Sequence, residues 1–490
     1  MGGYEFTKEY TGIYKITVPE DNFVWSAYKE DNDGNTWALI GNKIIDWGDG
    51  NVTTGIGTHL YAKAGDYVIK GNTRLGRERY GSGTQVRKCL TEVVQFPTSV
   101  IALHEFYLCT LMTKANLSGC TLSGNCFRGC WTLKEINLTN TTFTGDVGGM
   151  FEDALLLTEE GLIGWNTITF NKLTNFRCFF KKTSITSIDI SALAQNAQLT
   201  AIESMFQDSK KLTTIIGLDK IDTSRITNMG SVFYGCSSLT SLDLSSWNVS
   251  KVSNMINMFY NCSSLVELNL TGWTTSSLTG MGYMFGGCSS LQKILGIENF
   301  NISKVTSLDG VFSGCGLTSI NLDSWDFNGV TNVYNMFAKS KIKTLDTTNW
   351  DVSTITNFGN FCNGATCEYI TLTFSGSMWA VMHTCTNVKH VTWKNCTVTI
   401  DNYSFPGFNN SANAEWQITF DNAIISAENG TNGILSNYKH LTVESLMSVI
   451  NALADRTGMD GDTLTLGSVN LAKLTPEQIK IATDKNWTVV

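Results

Sequence analysis

Charged side chains are scarce in this sequence. Lys, Arg, Asp and Glu make up 16% of the 490 residues, and Ser, Thr, Asn and Gly occupy most polar positions. The formal charge is −8 and the isoelectric point is near 5.3. Such a chain lacks the positive charge that attracts nucleic acids and anionic membranes. We therefore expect no nucleic acid among its partners.

Long apolar runs are also missing. No stretch of about 18 apolar residues occurs, so we expect no membrane insertion. The first residues, Met1 to Lys8, do not combine a basic segment with an apolar one and so do not resemble a secretory signal. We expect the protein to be made in a cytoplasm and, if it acts outside, to leave by a route other than a cleaved signal.

Recognised catalytic motifs are missing as well. The sequence contains no GxSxG, Walker, HExxH or paired CxxC pattern. The histidines are scattered along the chain: His59, His104, His383, His390 and His440. We therefore expect a protein that is not an enzyme and binds no cofactor. One alternative stays open, because Asp243 and Glu267 would stand on neighbouring strands, where a polysaccharide-cleaving enzyme could use a carboxylate pair.

The cysteines are numerous, but their positions do not indicate disulfides or metal. Several of the 14 lie three residues after a recurring phenylalanine: Cys109, Cys130, Cys236, Cys262, Cys288 and Cys315. Recurrence at one repeat position favours reduced, buried packing groups. A denser group contains no CxxC pair, so we expect no metal site there: Cys362, Cys367, His383, Cys385, His390 and Cys396.

One sequence unit occurs twice between Phe233 and Trp273. Each copy runs from Phe through Cys and the pattern LxxLxL to Trp, and the copies are 26 residues apart. Leu242 and Leu244 share a strand face, because side chains alternate along a strand, and Leu239 closes the preceding turn. One coil cannot bury these groups alone. The unit therefore predicts a solenoid of stacked coils that share a parallel sheet.

The aromatic residues of this unit can be followed along the chain. The phenylalanine recurs at Phe106, Phe127, Phe151, Phe180, Phe206, Phe233, Phe259, Phe285, Phe312 and Phe337. The tryptophan recurs at Trp247, Trp273, Trp325 and Trp350, with Phe300 in its place once. We expect both series to stack in the core. Met255, Met258 and Phe259 have the spacing of a short helical turn on the opposite wall of the coil.

The repeat resembles the BspA-like leucine-rich family. The resemblance is carried by Met258-Phe259, Cys262-Ser263-Ser264-Leu265, Leu268, Leu270 and Trp273, and in the preceding copy by Trp247-Asn248-Val249-Ser250-Lys251-Val252 and Met255. It implies surface display and binding, by bacterial adhesins and by proteins of viruses that infect gut bacteria. It implies no catalytic residues.

The residues before the repeats follow another pattern. Tyr14 to Val18 alternates as a strand, Asp31 to Asn35 is typical of a hairpin turn, and Trp37 to Ile40 is the predicted return strand. Asp46-Trp47-Gly48-Asp49-Gly50 and the later His59-Leu60-Tyr61 to Tyr67-Val68 resemble the polycystic-kidney-disease family of immunoglobulin-like β-sandwiches, which implies a spacer or docking module.

The acidic turns of this region could also bind calcium. The candidate ligands are Asp31, Asp33, Asp46 and Asp49. Calcium needs about six oxygens, and isolated Asp pairs supply fewer. Turn hydrogen bonds are the favoured interpretation.

The last part of the chain changes character. Thr442 is expected to cap a helix with Leu446, Val449, Ile450 and Leu453 on one face, and Thr475-Pro476 to start another. Such helices cover the open end of a solenoid. The segment resembles the closing segment of repeat proteins encoded by phages and prophages of gut bacteria, through Leu441 to Leu446, Asn451 to Asp455, Leu464 to Gly467 and Leu471 to Thr475.

These patterns predict a mainly β fold with short helices. A leucine-rich-repeat solenoid with a parallel sheet would be preceded by a small β-sandwich and closed by an α/β cap. The predicted boundaries are 1–85 for the sandwich, 86–440 for the solenoid and 441–490 for the cap. The candidate binding residues are the polar ones on the outer sheet face, which fit a receptor site and a plain solvated surface equally well: Ser241, Asp243, Ser245, Glu267, Asn269, Thr271, Ser319, Asn321 and Asp323.

The resemblances and the missing signal favour a non-enzymatic phage virion protein, associated with the tail or the capsid. Residues 1–85 would contact other virion proteins, and the solenoid would bind a glycan or protein of the host surface. A homo-oligomer is compatible with this hypothesis. The alternatives are a bacterial cell-surface adhesin and a depolymerase.

Overall fold

The computed structural model describes residues 12–19, 23–26, 44–54, 58–71, 89–96, 101–103, 106–195, 198–377, 380–399, 417–426, 433–435 and 441–490. The predicted turn at Asp31 to Asn35, with the calcium candidates Asp31 and Asp33, and the strand Trp37 to Ile40 lie outside these residues. The chain divides into two compact units. Unit 1 comprises Met1–Leu239 and Ser246–Asn248, and unit 2 comprises Thr240–Ser245 and Val249–Val490.

Antiparallel strands form the amino-terminal part of unit 1. They are β1 (Gly12–Val18), β2 (Phe23–Ser26), β3 (Ile44–Asp46), β4 (Val52–Thr54), β5 (Thr58–Tyr61), β6 (Gly65–Gly71) and β7 (Leu90–Gln95). Strand β1 pairs with β6 along its whole length and with β7 on its other side, where Tyr14 lies opposite Val93. Tyr14, Ile16 and Val18 are buried, as the alternation along this segment predicts.

The coils of unit 1 follow with short parallel strands. These are β8 (Ile101–Leu103), β9 (Lys114–Asn116), β10 (Thr121–Ser123), β11 (Glu135–Asn137), β12 (Thr142–Asp146), β13 (Leu162–Ile163), β14 (Thr169–Asn175), β15 (Ser187–Asp189) and β16 (Thr214–Ile216). The larger sheet has the order β13-β11-β9-β7-β1-β6-β3-β4. One sheet therefore contains both the amino-terminal strands and strands of the first coils. The predicted domain boundary at residue 85 stays a prediction.

Unit 2 repeats the same construction. Its strands are β17 (Ser241–Asp243), β18 (Glu267–Asn269), β19 (Lys293–Leu295), β20 (Thr344–Asp346), β21 (Tyr369–Leu372), β22 (Gly376–Ser377), β23 (His390–Lys394), β24 (Thr397–Thr399), β25 (Gln417–Asp421), β26 (Ile424–Ser426) and β27 (Gly433–Ile434). The coils form sheets β17-β18-β19, β20-β21-β23-β25 and β22-β24-β26, all parallel. The sequence predicts one sheet shared by all repeats, whereas the described coils form several short sheets.

Stacked aromatic rings fill the core of each unit. In unit 1, Phe206 stacks on Phe180 and on Phe233 at 5.9 Å between ring centroids. In unit 2, Phe285 stacks on Phe259 at 5.9 Å and on Phe312 at 5.6 Å. The predicted core stacks of phenylalanine are confirmed.

The tryptophans add a hydrogen bond between coils. In unit 2 the indole Nε1 of Trp273 donates to the Leu244 carbonyl at 2.9 Å, and that of Trp325 donates to the Ile297 carbonyl at 3.0 Å. Both rings also stack on Phe300, at 6.0 and 6.4 Å. A buried indole needs such a partner, so tryptophan fixes the spacing of adjacent coils as well as filling the core.

The wall opposite the sheet consists of tight turns. In the coil of Phe259, the Met258 N–H donates to the Met255 carbonyl at 3.1 Å. Asn257 and Asn261, two residues before and after the phenylalanine, have φ near +57° and +58°. The sequence predicts a helical turn here, but left-handed residues interrupt it. Asparagine is among the few residues that adopt this conformation readily.

Helices close unit 2. They are α1 (Val443–Ala452), α2 (Ser468–Leu471) and α3 (Pro476–Thr483), with strands β28 (Asp462–Thr465) and β29 (Trp487–Val489) between and after them. The Thr442 side chain accepts from the Ser445 N–H, and Thr475 forms a capping box with Gln478. Both predicted helix starts are confirmed.

Helix α1 covers the edge of the last long strand. The N–H groups of Ile418 and Phe420 in β25 donate to the hydroxyls of Ser445 and Ser448 at 3.0 and 2.7 Å. The fold class is thereby confirmed as mainly β, with parallel stacked coils and a helical cap. Among the described residues no helix is long and apolar enough to cross a membrane.

Candidate binding surface

Strands β17, β18 and β19 carry the first group of candidate binding residues. Ser241 lies opposite Glu267, and Asp243 lies opposite Asn269. Leu242 and Leu268 between them are buried, so the polar residues lie on the outer face, as predicted. Asp243 and Glu267 are therefore not directly opposite each other in the strand pair. The depolymerase alternative assumed that their carboxylates lie side by side, and this pairing register does not place them so.

Some of these side chains are used to form turns. One carboxylate oxygen of Asp243 accepts the Ser245 N–H at 3.0 Å, the Ser245 hydroxyl at 2.7 Å and the Asn269 amide at 3.1 Å. The hydrogen bonds from the Ser245 side chain and backbone hold the pKa of Asp243 below its ordinary value. Asp243 and Ser245 therefore shape the end of the strand first, whatever else they contact.

The same turn recurs at other candidate residues. The side chain of Asn269 accepts the Thr271 N–H at 3.1 Å, and that of Asn321 accepts the Asp323 N–H at 2.8 Å. Residues outside the candidate set do the same at equivalent positions: Asn137, Asp189 and Asp346. An Asp or Asn at this position thus shapes the turn in these coils, although Leu295 and Ile216 occupy the position in two others.

Five candidate side chains form no hydrogen bond within the described residues. They are Ser241, Glu267, Thr271, Ser319 and Asp323. Their donors and acceptors are available to a ligand. This division could not be read from the sequence, because both groups consist of the same polar residue types.

The sheet is interrupted next to β19. Residues 318–321 are not in a strand, although they occupy the place where the next coil would pair with β19. The interruption leaves a cleft with a volume of about 870 Å³. It is lined by Gln292, Lys293, Ile294, Ile297, Glu298, Leu317, Ser319, Ile320, Asn321, Asp323 and Ser324. The second group of candidate residues, Ser319, Asn321 and Asp323, therefore lies at this cleft.

Both ends of the cleft are closed by contacts between its two coils. At one end the Gly316 N–H donates to the Cys288 carbonyl at 2.9 Å. At the other end the Ser324 hydroxyl donates to the Glu298 carbonyl at 2.6 Å. An added β-strand would have to run through both closures. The cleft instead suits a compact group that enters from the open side.

The cleft combines an apolar floor with free polar groups. Ile294 and Leu317 are buried, at 8% and 5% exposure. Gln292 and Lys293 are exposed, and their side chains, like those of Ser319 and Asp323, form no hydrogen bond within the described residues. A few orienting polar groups around an apolar surface are typical of small-ligand sites.

A signal for the cleft is present in the sequence. The coil of Phe312 reaches its strand position, Ile320, one residue earlier than the coil of Phe285 reaches Ile294. The missing residue lies between Cys315 and Leu317, where only Gly316 remains. A Cβ on Gly316 would lie 2.6 Å from the Ser289 carbonyl oxygen and 2.8 Å from the Leu291 nitrogen. The shortened, tightly packed turn accompanies the loss of strand pairing.

The described acidic residues of the amino-terminal region, Asp46 and Asp49, form turn hydrogen bonds. Asp46 accepts the Gly48 N–H at 2.9 Å, and Asp49 accepts the Asn51 N–H at 3.1 Å and contacts His59 Nε2 at 2.6 Å. His59 stacks on Trp47 at 4.8 Å. Although burial opposes it, the bond to His59 lowers the pKa of Asp49. Turn hydrogen bonding at Asp46 and Asp49 is thereby confirmed.

No group of three or more His, Cys, Asp or Glu side chains in the described part of the chain is arranged to hold a metal ion. The cysteines there are free, and all but Cys178 are buried. Cys385 donates its thiol to the Cys362 carbonyl at 2.9 Å. These groups serve contacts between coils.

Stacked coils with one short parallel strand each, aromatic core ladders and a polar sheet face define a leucine-rich-repeat protein. Two family models match the chain. One, described as "Mycoplasma protein of unknown function, DUF285", matches residues 121–217, 174–296 and 264–373 and so spans just over half of the chain. The other is the BspA type leucine rich repeat region, which matches residues 85–153. The chain belongs to the DUF285 family and carries BspA-type repeats.

Solved structures with similar coils include two leucine-rich repeat proteins. The protein from Bacteroides ovatus is 15% identical, with coverage of 70% of this chain and 97% of that one and a TM-score of 0.28. The protein from Eubacterium ventriosum is 16% identical, with coverage of 65% and 84% and a TM-score of 0.32.

A third is a leucine rich cell surface protein from Faecalibacterium prausnitzii. It is 14% identical, with coverage of 72% and 86% and a TM-score of 0.27. No curated protein matches the chain.

Proposed function

We propose that this chain is a non-enzymatic binding protein whose cleft beside β19 holds one sugar unit of a glycan on a bacterial surface. The cleft carries the proposal. It brings free hydrogen-bonding side chains, Ser319 and Asp323, to an apolar floor of Ile294 and Leu317. Sugar rings present hydroxyl groups at their rim and C–H groups on their faces, so such a surface is complementary to them.

The size and closure of the cleft support a compact ligand. The volume of about 870 Å³ falls in the usual range for small-ligand sites. The closed ends admit a terminal or side-branch sugar more easily than the middle of a linear chain. Affinity for one such unit is expected to be weak, and attachment then requires many copies on one surface.

The proposal is tested by glycan binding with matched variants. Full-length protein is applied to an array of surface polysaccharides from gut bacteria, together with the double variant Ser319→Ala/Asp323→Ala and the control Ser276→Ala, an exposed serine outside the candidate set. None of these side chains forms a hydrogen bond within the described residues, so all the variants should fold. We expect the double variant to lose at least about tenfold in binding, because two hydrogen bonds are removed, and the control to bind as the unmodified protein does.

Two results would refute this assignment. Binding unchanged in the double variant would exclude the cleft as the site. Absence of any bound glycan would exclude glycan recognition altogether. The depolymerase alternative is measured on the same samples, since release of reducing ends would show cleavage, for which the cleft offers Glu298 and Asp323.

We further propose that the protein is carried on the tail or capsid of a phage of gut bacteria, with residues 1–85 in contact with other virion proteins. The closing segment Leu441 to Val490 supports this origin by its resemblance to phage-encoded repeat proteins. The match of residues 85–153 to BspA-type repeats favours the second candidate, a bacterial cell-surface adhesin. Mass spectrometry of purified particles and surface labelling of intact cells separate the two.

A further inference from the structure

A strained tyrosine lies on the turn wall of unit 2. Tyr283 has φ of +53°, and it is the only aromatic residue with positive φ among the described residues. The equivalent positions in neighbouring coils hold Asn257, Gly310 and Asn335, which adopt this conformation more easily. A bulky side chain here is a backbone outlier that needs a reason.

Glycines make room for the tyrosine rings of this wall. A Cβ on Gly310 would lie 2.2 Å from the Tyr283 ring, and a Cβ on Gly286 would lie 3.0 Å from the Tyr260 ring. The two rings meet edge to face at 5.8 Å between centroids. Both tyrosines are half-buried, so part of each residue stays accessible to solvent.

A carboxylate without a cation lies beside Tyr283. One oxygen of Asp309, Oδ1, is buried and has no hydrogen-bond partner. Burial raises the pKa of Asp309, a hydrogen bond with Tyr283 opposes the rise, and no lysine or arginine of the described residues lowers it. The Tyr283 hydroxyl also accepts the Asn335 amide at 3.4 Å. The negative charge of Asp309 therefore lies close to the tyrosine pair and is not neutralised within the described residues.

The same chain contains a complete version of this arrangement. Lys389 Nζ lies 2.7 Å from the Glu368 carboxylate and 5.9 Å from the centre of the Tyr369 ring. An ammonium group is there shared between a carboxylate and a tyrosine face. Tyr283 and Asp309 supply the ring and the carboxylate without the ammonium group.

We propose that Tyr283, Tyr260 and Asp309 form a binding site for an organic ammonium group supplied by another molecule. The cation would lie on the outward tyrosine surface, where the ring quadrupole and the nearby carboxylate both attract it. Direct contact with the buried oxygen is not required. The site is separate from the cleft beside β19 and does not depend on the proposed glycan binding.

The test uses choline chloride as the probe. Binding to the full-length protein is measured by saturation-transfer NMR on the choline methyl signal at constant ionic strength. The neutral isostere 3,3-dimethyl-1-butanol has the same shape without the charge. We expect choline to bind about tenfold more tightly than the isostere, the difference that a moderately desolvated cation–π contact supports. A parallel titration with Nα-acetyl-lysine amide, whose side chain carries a primary ammonium group, distinguishes a primary ammonium ligand from a quaternary one.

Two variants locate the bound cation. Tyr283→Asn removes the ring and introduces the residue that neighbouring coils hold at this position, so it should fold at least as well. Asp309→Asn removes the charge and keeps the shape. Each should weaken choline binding about tenfold, while Tyr369→Phe, at the occupied site, should leave it unchanged.

Three results would overturn the proposal. They are no choline signal, equal binding of choline and its neutral isostere, and choline binding by Tyr283→Asn equal to that of the unmodified protein. Circular dichroism of each variant establishes that a lost signal does not come from unfolding.

Discussion

At the scale of single residues, the cysteines have a role that the sequence concealed. Their recurrence predicts small buried groups, and they are buried. The structure adds a hydrogen bond, since Cys236 and Cys288 donate their thiols to the Phe206 and Phe259 carbonyls of the preceding coil at 3.1 and 3.0 Å. Ser209, at the same repeat position, donates to Phe180 at 2.6 Å. The position therefore favours a small side chain, and cysteine or serine there can add a hydrogen bond to the preceding coil. The donor is not needed in every coil, because Ala154 occupies the position once and the buried Ser340 hydroxyl has no partner among the described residues.

This role predicts different effects for two substitutions at Cys288. Cys288→Ala leaves the Phe259 carbonyl without its thiol donor and should lower stability by about 1 kcal/mol. Cys288→Ser keeps a donor of similar size and should stay close to the unmodified protein. Urea unfolding of the three proteins measures the difference. Equal losses in both variants would show that sulfur packing, not the hydrogen bond, is what matters.

Asp309 should make stability depend on pH in the opposite direction to most carboxylates. Its pKa is raised in the folded chain by burial, so the folded state binds the proton more tightly than the unfolded state. Ionised Asp309 lowers the free energy of unfolding when the pH is above its pKa in the folded chain. This loss disappears as the pH falls towards 3.8, the pKa of the carboxyl in the unfolded chain. Asp309→Asn should therefore raise the unfolding midpoint at pH 7 and have little effect near pH 3. A lower midpoint at pH 7 would contradict the burial argument.

At the scale of elements, regular features were predictable, whereas the structural effect of the one shortened turn at the cleft was not. The stacking of Phe285 and the cap at Thr442 follow from periodic spacing and from local capping chemistry, both visible in sequence. The cleft coincides with one missing residue before Leu317, but the coil of Phe337 is shortened in the same way and still forms β20. The loss of strand pairing at the cleft therefore also involves the packing around Gly316, which the sequence does not display. Likewise, Asp243 and Asp323 look alike in sequence, and only the folded turn shows which one is already hydrogen-bonded.

Restoring the missing residue should close the cleft. A serine inserted between Gly316 and Leu317 gives this coil the length of its predecessor and should allow residues after it to pair with β19. Hydrogen exchange at Lys293–Leu295 should then slow, and any glycan binding at the cleft should fall. Unchanged exchange would mean that other contacts of this coil, such as the bond from the Lys343 N–H to the Thr318 carbonyl at 2.9 Å, hold it away from β19.

The serines of helix α1 should be necessary for a stable end to unit 2. Ser445 and Ser448 satisfy N–H groups of β25 that would otherwise form an open strand edge. Replacing each by Ala should cost about 1 to 3 kcal/mol, since a donor at a part-buried edge loses its partner. The double variant should also aggregate faster on heating, as light scattering can show. Ser276→Ala, an exposed serine whose side chain forms no hydrogen bond within the described residues, is the control.

At the scale of the whole molecule, the question is whether the amino-terminal region folds independently of the first coils. The motifs around Trp47 and His59 resemble a separate sandwich module, which led to a predicted boundary at residue 85. In the structure β1 lies between β6 and β7, and β7 pairs in parallel with β9 of the first coils. A shared sheet couples the stability of the parts that it joins.

Removal of residues 1–85 shows whether the amino-terminal region is a separate module or a part of the sheet that the first coils need for stability. If β1 is needed to cover β7, the remaining chain should unfold at a lower temperature and aggregate, because the buried Leu90 and Val93 lose their neighbours and a strand edge is exposed. Ile16→Ala in the intact chain should then also destabilise unit 1, by about 2 to 4 kcal/mol. Differential scanning calorimetry of the three proteins gives the midpoints. If residues 86–490 melt as they do within the full chain, the amino-terminal region is a separate domain. Its proposed contact with other virion proteins can then be studied on residues 1–85 alone.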